Sequence, residues 1–348
     1  MLAISPVNTA SMPPIDLWVS IGLVTIGLAA LLFGGHLLVT GAAGIAKRLG
    51  VSGLLIGLTV VAFGTSAPEL ALNVTAAASS PAGVELAFGN VVGSNMANIG
   101  LVLGLACLVS PIIIRGQVLR QDLPLLIGAE MVMIAIAWMT PGIDRLGGVI
   151  LMLGMIGVSV LWFRNAQAHA DDALTIEAEN LAIQEPTLKW WMAVSLVLSG
   201  LALLLSGAKA AEIGAVTVAQ YAGVGEVVIG LTIVAIATSL PEVATAIIAV
   251  RKHESDLAVG AVVGSNLFNI LLVLACTALV RPIPLPEGHS DWTLIIMLAL
   301  TLALYLGPIR RQTSRDGHSE FESQLGRAWG GSVLTIWIVV MIWTVLTA

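Results

Sequence analysis

Long apolar runs alternate with short polar or turn-rich breaks along the whole chain. Ten apolar segments can be laid out, at about 17–45, 52–78, 84–109, 122–140, 145–164, 189–211, 225–250, 256–280, 291–309 and 328–347. Nearly all approach or exceed the ~20 residues that a helix needs to cross a bilayer. One break, 165–188, is longer than most and acidic, with Asp171, Asp172, Glu177, Glu179 and Glu185. It divides the segments five and five, so the expected organisation is a first unit at 1–164, a linker at 165–188 and a second unit at 189–348. A second hydrophilic break runs from Arg310 to Arg327. The expected fold class is an all-α polytopic membrane protein of ten transmembrane helices.

Composition agrees with this pattern. Only 10% of the 348 residues are charged and 57% are hydrophobic, whereas a soluble domain carries about 25% charged residues. So little charge could not cover the surface of a water-soluble globule, which excludes a soluble enzyme and a disordered chain. The 15 Lys and Arg are thinly spread, and with no basic patch a nucleic-acid partner is excluded too. Cys107 and Cys276 both lie in apolar runs and read as small hydrophobes. Residues 1–17 hold no Lys or Arg, so the first apolar segment reads as an uncleaved insertion signal. With the N-terminus outside, twelve Lys and Arg fall in cytoplasmic loops, and only Arg145, Lys209 and Arg281 fall outside. The positive-inside rule then sets both termini outside and the acidic linker in the cytoplasm.

The chain also repeats itself. GLTVVAFGTSAPELALNVTAA at 57–77 and GLTIVAIATSLPEVATAIIAV at 230–250 share eleven of 21 positions. GNVVGSNMANIGLVL at 89–103 is matched by GAVVGSNLFNILLVL at 260–274. The two pairs stand in the same order and at nearly the same offset, which marks a duplicated half. Five spans separate equivalent blocks, and an odd number reverses orientation. The halves are therefore expected to be inverted repeats, the architecture in which secondary transporters build midplane sites from interrupted helices of both halves.

Those blocks hold the chemistry. Glu69 and Glu242 fall in the middle of apolar spans, where an ionised carboxylate is costly. Neither block contains a Lys or Arg, so the natural counter-charge is a bound cation or a proton. Pro68 and Pro241 precede the glutamates and free carbonyls about one turn back, near Gly64 and Ala237. Thr65 and Ser66 share a helical face with Glu69, as do Thr238 and Ser239 with Glu242. Ser94 and Asn98 are four apart, and so are Ser265 and Asn269. Asn95 and Asn266 read as structural amides that bond to broken backbone. The pooled donors are carboxylates, amides, hydroxyls and carbonyls, without His or thiolate, a set that selects hard cations such as Ca²⁺ and Na⁺. Glu130 lies in the fourth segment with no partner in the repeat and reads as a structural or protonated carboxyl.

The paired motifs G-T-S-A-P-E with G-S-N-M-A-N, and A-T-S-L-P-E with G-S-N-L-F-N, resemble the alpha repeats of the Ca²⁺/cation antiporter superfamily, in particular its sodium/calcium exchanger branch and the short prokaryotic members. The resemblance implies one Ca²⁺ site and several Na⁺ sites around two shared glutamates, Glu69 and Glu242. It assigns Thr65 and Thr238 to Ca²⁺. Ser66, Ser239, Ser94, Ser265 and the backbone of Ala62 and Ala235 go to outer and inner Na⁺ sites, and Asn98 and Asn269 to the middle position. Asn269 stands where some members, including potassium-dependent ones, carry Asp, which weakens a K⁺-coupled reading. The implied activity is exchange of Ca²⁺ for Na⁺ by alternating access in a prokaryotic inner membrane, electrogenic at three Na⁺ per Ca²⁺. The two ions are substrates and the bilayer is the surroundings; no cofactor and no obligate protein partner is expected. Ca²⁺/H⁺ antiport is the nearest alternative and a cation channel a more distant one. No catalytic Ser/His or paired-Asp set points to an enzyme.

Overall fold

The computed structural model describes residues 15–79, 81–114, 116–140, 142–180, 188–223, 235–285, 290–307, 309–315 and 318–347. They form ten helical segments in the predicted order. These are α1 (Leu17–Leu49), α2 (Gly53–Ser79), α3 (Pro81–Ala97, continued through Gly104–Val109), α4 (Val118–Met139) and α5 (Arg145–Asn180), then α6 (Trp190–Tyr221), α7 (Ala235–Thr238 with Leu240–Arg251), α8 (Ser255–Val280), α9 (Ser290–Leu306) and α10 (Arg327–Thr347). Eight are long and apolar enough to cross a membrane, and α9 is a shorter apolar helix. The first part of the seventh expected segment, 225–234, lies outside the described residues.

Local chemistry sets several ends. Asp16 caps α1 by accepting from the Trp18 N–H at 2.8 Å, and Gly50 ends it at φ 62°. Ser52 opens α2 by accepting from the Leu55 N–H at 3.3 Å. Exposed tryptophans mark the two levels at which the bundle leaves lipid. Trp18, Trp138 and Trp292 stand at the ends of α1, α4 and α9 on one side, and Trp190 and Trp191 stand at the start of α6 on the other.

Three boundaries differ from the sequence expectation. Helix α5 continues to Asn180, so most of the expected linker is helical, and 181–187 lie outside the described residues. Acidic residues lower hydropathy without breaking a helix that contains no Pro or Gly in that stretch. Helix α6 continues past its expected end at 211 to Tyr221, so Lys209, counted on the outer side, lies well within it and is ion-paired with Glu212 at 3.0 Å. The break from Arg310 to Arg327 holds a hairpin, β4 (Ile309–Arg315) with β5 (His318–Leu325), whose second strand pairs antiparallel with β1 (Ile112–Ile114). A hydropathy pattern sees only a polar stretch there, because the edge that recruits it lies in the other half of the chain. At the other side, β2 (Gly142–Ile143) pairs with β3 (Ile283–Pro284). The β1–β5 and β2–β3 pairings each join one half to the other.

The core is formed by α2, α3, α7 and α8, with α4, α5, α9 and α10 packed around it. Helices α1 and α6 lie along each other antiparallel. Their contact is a seam of glycines at heptad spacing, Gly27, Gly34 and Gly41 against Gly200, Gly207 and Gly214. A Cβ at Gly34 would lie 2.9 Å from the Gly200 carbonyl oxygen, and one at Gly200 would lie 2.5 Å from the Leu38 nitrogen. Only glycine lets the backbones come this close. The alignment that sets Glu69 against Glu242 also sets Gly27 against Gly200 and continues through both rows, so the repeat extends beyond the two motif blocks.

Candidate functional site: a two-fold cluster of buried oxygens

The repeated blocks meet at the centre of the bundle in a near-symmetric arrangement. Asn95 donates to the Asn266 carbonyl and Asn266 donates to the Asn95 carbonyl, each at 3.3 Å. Asn98 Nδ2 donates to Asn266 Oδ1 at 2.9 Å, and Asn269 Nδ2 donates to Asn95 Oδ1 at 3.1 Å. Four amides thus close a ring across a pseudo-two-fold axis. As expected, Asn95 and Asn266 bond to backbone, but the backbone belongs to the opposite half. Their side-chain oxygens hold Asn98 and Asn269.

The helices are irregular where these groups sit. Asn98–Leu103 and Asn269–Val273 are π-helical, and each segment starts on the asparagine. Gly57–Val61, just before Ala62, is π-helical too. A π-turn widens the helix and shifts carbonyls out of register, a device frequent at functional sites. The prolines act unequally. Helix α2 continues through Pro68. Helix α7 breaks at Ser239, with Pro241 in the first turn of the new segment, where its missing N–H costs nothing.

The carboxylates converge. Glu69 is 3% exposed and Glu242 4%, and they are near enough to repel each other when both are ionised. Thr65 joins the halves: its hydroxyl lies 3.4 Å from Ser265 Oγ of α8 and donates to the Val61 and Ala62 carbonyls of its own helix at 3.2 and 3.3 Å. Ser66, Ser94, Ser239 and Ser265 are all buried. Thr238 stands at the end of the first segment of α7, and Ala235 begins it. All twelve residues named from the sequence therefore lie in the interrupted helices α2, α3, α7 and α8.

Five oxygens in this cluster have no hydrogen-bond partner among the described residues: Ser66 Oγ, Glu69 Oε2, Ser239 Oγ, Glu242 Oε2 and Asn269 Oδ1. Buried polar atoms are almost always satisfied. Five unsatisfied oxygens, two of them on carboxylates, leave this cluster short of positive charge and donors. That deficit fits a hard cation.

Glu130 is placed elsewhere. It is fully buried in α4 and accepts from the Thr301 hydroxyl of α9 at 2.7 Å. These two positions are separated by the same offset as Ser94 and Ser265, so a repeat partner exists, as Thr rather than Glu. A search for a second carboxylate passes over it. Asn73 and Asn90 also escape the sequence reading, although they hydrogen-bond to each other at 3.2 Å one turn from Glu69 and Ser94. Extending each ladder of polar residues by four positions finds them.

Comparison with known proteins gives the family. The sodium/calcium exchanger protein family matches residues 19–164 and 192–346. The putative antiporter CaxA of Alkalimonas amylolytica is 39% identical over 82% of this chain and 89% of its own length. The sodium/calcium exchanger MaX1 of Methanosarcina acetivorans is 32% identical over 82% of the chain and 89% of its own length. Among solved structures, the sodium-calcium exchanger NCX_Mj, soaked with Na⁺ and Ca²⁺, superposes with a TM-score of 0.75 at 28% identity, covering 93% of this chain and 98% of its own. Inverted halves, paired glutamates and matches along both halves lead to one conclusion: this chain belongs to the sodium/calcium exchanger family.

Proposed function

We propose that the chain exchanges Ca²⁺ for Na⁺ across a prokaryotic inner membrane by alternating access, three Na⁺ against one Ca²⁺. The observation that carries this is the set of five unsatisfied oxygens around Glu69 and Glu242. In this reading the two carboxylates and the hydroxyls of Thr65 and Thr238 hold Ca²⁺. Ser66, Ser239, Ser94, Ser265 and the carbonyls of Ala62 and Ala235 complete Na⁺ positions, with Asn98 and Asn269 at the middle one. Two carboxylates balance one Ca²⁺. Three Na⁺ leave the cluster at about +1, held by hydroxyl and carbonyl dipoles, so one net charge crosses the membrane per cycle, worth about 2.3 kcal/mol per 100 mV. The names of MaX1 and NCX_Mj, both sodium/calcium exchangers, support Na⁺ as the coupling ion. The inner membrane is supported by a relative from Escherichia coli K12, the inner membrane protein YrbG, 35% identical over 81% of this chain and 87% of its own length.

The orientation in this reading has both termini outside, with the units 1–164 and 189–348 joined on the cytoplasmic side. Twelve Lys and Arg remain assigned to the inner side and, with Lys209 inside α6, two to the outer loops. The strand pairings fit the ten-span threading in either orientation, since both connections in each pair fall on one side; the orientation rests on the Lys and Arg count.

The test is Ca²⁺ uptake into Na⁺-loaded proteoliposomes under a clamped potential. Uptake should require internal Na⁺, ignore K⁺, and speed up when the interior is positive. Uptake driven by a proton gradient without Na⁺ would replace this reading with Ca²⁺/H⁺ antiport, and voltage-independent flux would reduce the ratio to two for one.

A further inference from the structure

Helices α2 and α3 each carry a polar ladder in steps of four, Thr65–Glu69–Asn73 on one and Asn90–Ser94–Asn98 on the other. The helices are antiparallel neighbours, so Asn73 and Asn90 meet as the last rung on one side of the ion cluster. Asn90 Nδ2 donates to Asn73 Oδ1 at 3.2 Å. Asn73 is 1% exposed, and its own Nδ2 has no partner among the described residues. Asn90 is only half-buried, so this rung is where the ladder begins to meet the surroundings.

The other half lacks the rung. The alignment that sets Glu69 against Glu242 sets Asn73 against Ala246, and the one that sets Ser94 against Ser265 sets Asn90 against Ala261. Both alanines are buried. The helices on that side are also in tight contact. A Cβ at Gly260 or Gly264 would lie 2.5 or 2.6 Å from the carbonyl oxygens of Leu54 and Leu58. One end of the ion cluster is therefore continued by two carboxamides, whereas the equivalent positions towards the other end carry two buried alanines. Alanine is a sufficient packing residue at this place in the fold, as the second half demonstrates. A buried amide with an unsatisfied N–H is destabilising, so packing does not account for its presence in the first half.

We propose that Asn73 and Asn90 form a cation station on the outer route, one helical turn beyond Glu69 and Ser94. Its occupant is a partly hydrated Na⁺ or Ca²⁺ on its way to or from the central cluster. A carboxamide flipped about its last bond exchanges its oxygen and nitrogen without moving the backbone. When both flip in step, Asn73 Nδ2 donates to Asn90 Oδ1 and the Asn73 oxygen turns to where its unpaired N–H stood, so the pair stays bonded to itself and offers a buried oxygen to a passing ion. With no counterpart on the inner side, the station makes the two faces kinetically unequal. The inference rests on the exchange reading and on its assignment of termini to the outside.

Its test uses the full chain in right-side-out and inside-out membrane vesicles from the same cells, with Ca²⁺ as the probe. The variant Asn73→Ala/Asn90→Ala copies the alanine pair of the other half and should fold. It should raise the Ca²⁺ half-saturation at the outer face by about five-fold and leave the inner face unchanged. Asn73→Asp should lower the outer value. Equal shifts at both faces, or no shift at the outer face in correctly inserted protein, would reduce the pair to a clamp between α2 and α3 and overturn the station. A shift confined to the inner face would overturn its assignment to the outer route. Wild-type vesicles without any Na⁺-driven Ca²⁺ flux would remove the exchange reading itself, an outcome distinct from a normal wild type with an unaffected double variant.

Discussion

The central helices and the α1/α6 pair solve the problem of packing in lipid in opposite ways. In α8, 94% of the apolar stretch is buried, and α3 is close to that, whereas the figures for α1 and α6 are 22% and 28%. The centre is held by directional groups: four amides in a ring, hydroxyls bonded back to carbonyls, and helices interrupted by π-turns. The α1/α6 pair meets backbone to backbone along a seam of glycines and turns Trp18, Ile26, Leu32 and Phe33 outward. Lipid tails are as apolar as leucine, so no hydrophobic drive brings two helices together, and close backbone approach has to supply the attraction. The difference teaches where specificity resides. In the centre the identity of each polar atom matters, and in the outer pair the small size of the seam residues does.

That contrast can be broken experimentally. The largest effect is expected at the glutamates. Glu69→Gln and Glu242→Gln keep shape and lose charge, so each should cut Na⁺-driven Ca²⁺ flux by about 100-fold, equivalent to about 2.7 kcal/mol, with the protein still eluting as a folded species from a sizing column. A variant retaining most of its flux would remove that residue from the site. Next comes Gly34→Leu. Its side chain would begin 2.9 Å from the backbone of α6, and overpacking of this kind costs about 1–3 kcal/mol. Thermal unfolding in detergent should fall accordingly, and an unchanged melting curve would mean the seam is not tightly closed. Asn95→Ala loses both the bond to the Asn266 carbonyl and the acceptor for Asn269. Interhelical bonds in membranes average about 0.6 kcal/mol, so a loss of about 1 kcal/mol is expected, visible as a small melting shift. A loss as large as that of Gly34→Leu would make the amide ring the principal lock. The smallest effect belongs to Glu130→Gln. The Thr301 hydroxyl can donate to the Gln oxygen as it does to Glu130 Oε1, and flux should stay within about two-fold. A collapse of flux would bring Glu130 into the transport cycle.

How much was legible in the sequence follows the same division. The ten segments and the paired Glu, Thr, Ser and Asn residues could be read from hydropathy and from the repeat, because burial in lipid writes itself as continuous apolar runs and duplicated chemistry as duplicated motifs; the backbone of Ala62 and Ala235 entered only through the family resemblance. The failures involve what such patterns cannot contain. The helical course of 165–180 was hidden by its acidity, and the β4–β5 hairpin by the distance to its partner strand. The difference between the continuous α2 and the broken α7 could not be seen in two prolines that each sit in a T-S-x-P-E motif. The two glycine rows were open to view in matching positions of the halves, but single glycines in a membrane segment attract no notice until two backbones are found touching.

The strand pairings carry a further consequence. β1 with β5 and β2 with β3 each unite a loop of the first half with a loop of the second, one pairing per side, and the amide ring and the glycine seam do the same at depth. Every kind of contact between halves is thus non-covalent and already in place without the connection at 181–187. A gene cut there, giving one polypeptide that ends after Asn180 and another that starts at Leu188, should yield two fragments that co-purify as one complex when expressed together. Cohesion of this molecule would then be a property of recognition between two five-helix pieces, with the peptide bond between them serving delivery rather than architecture.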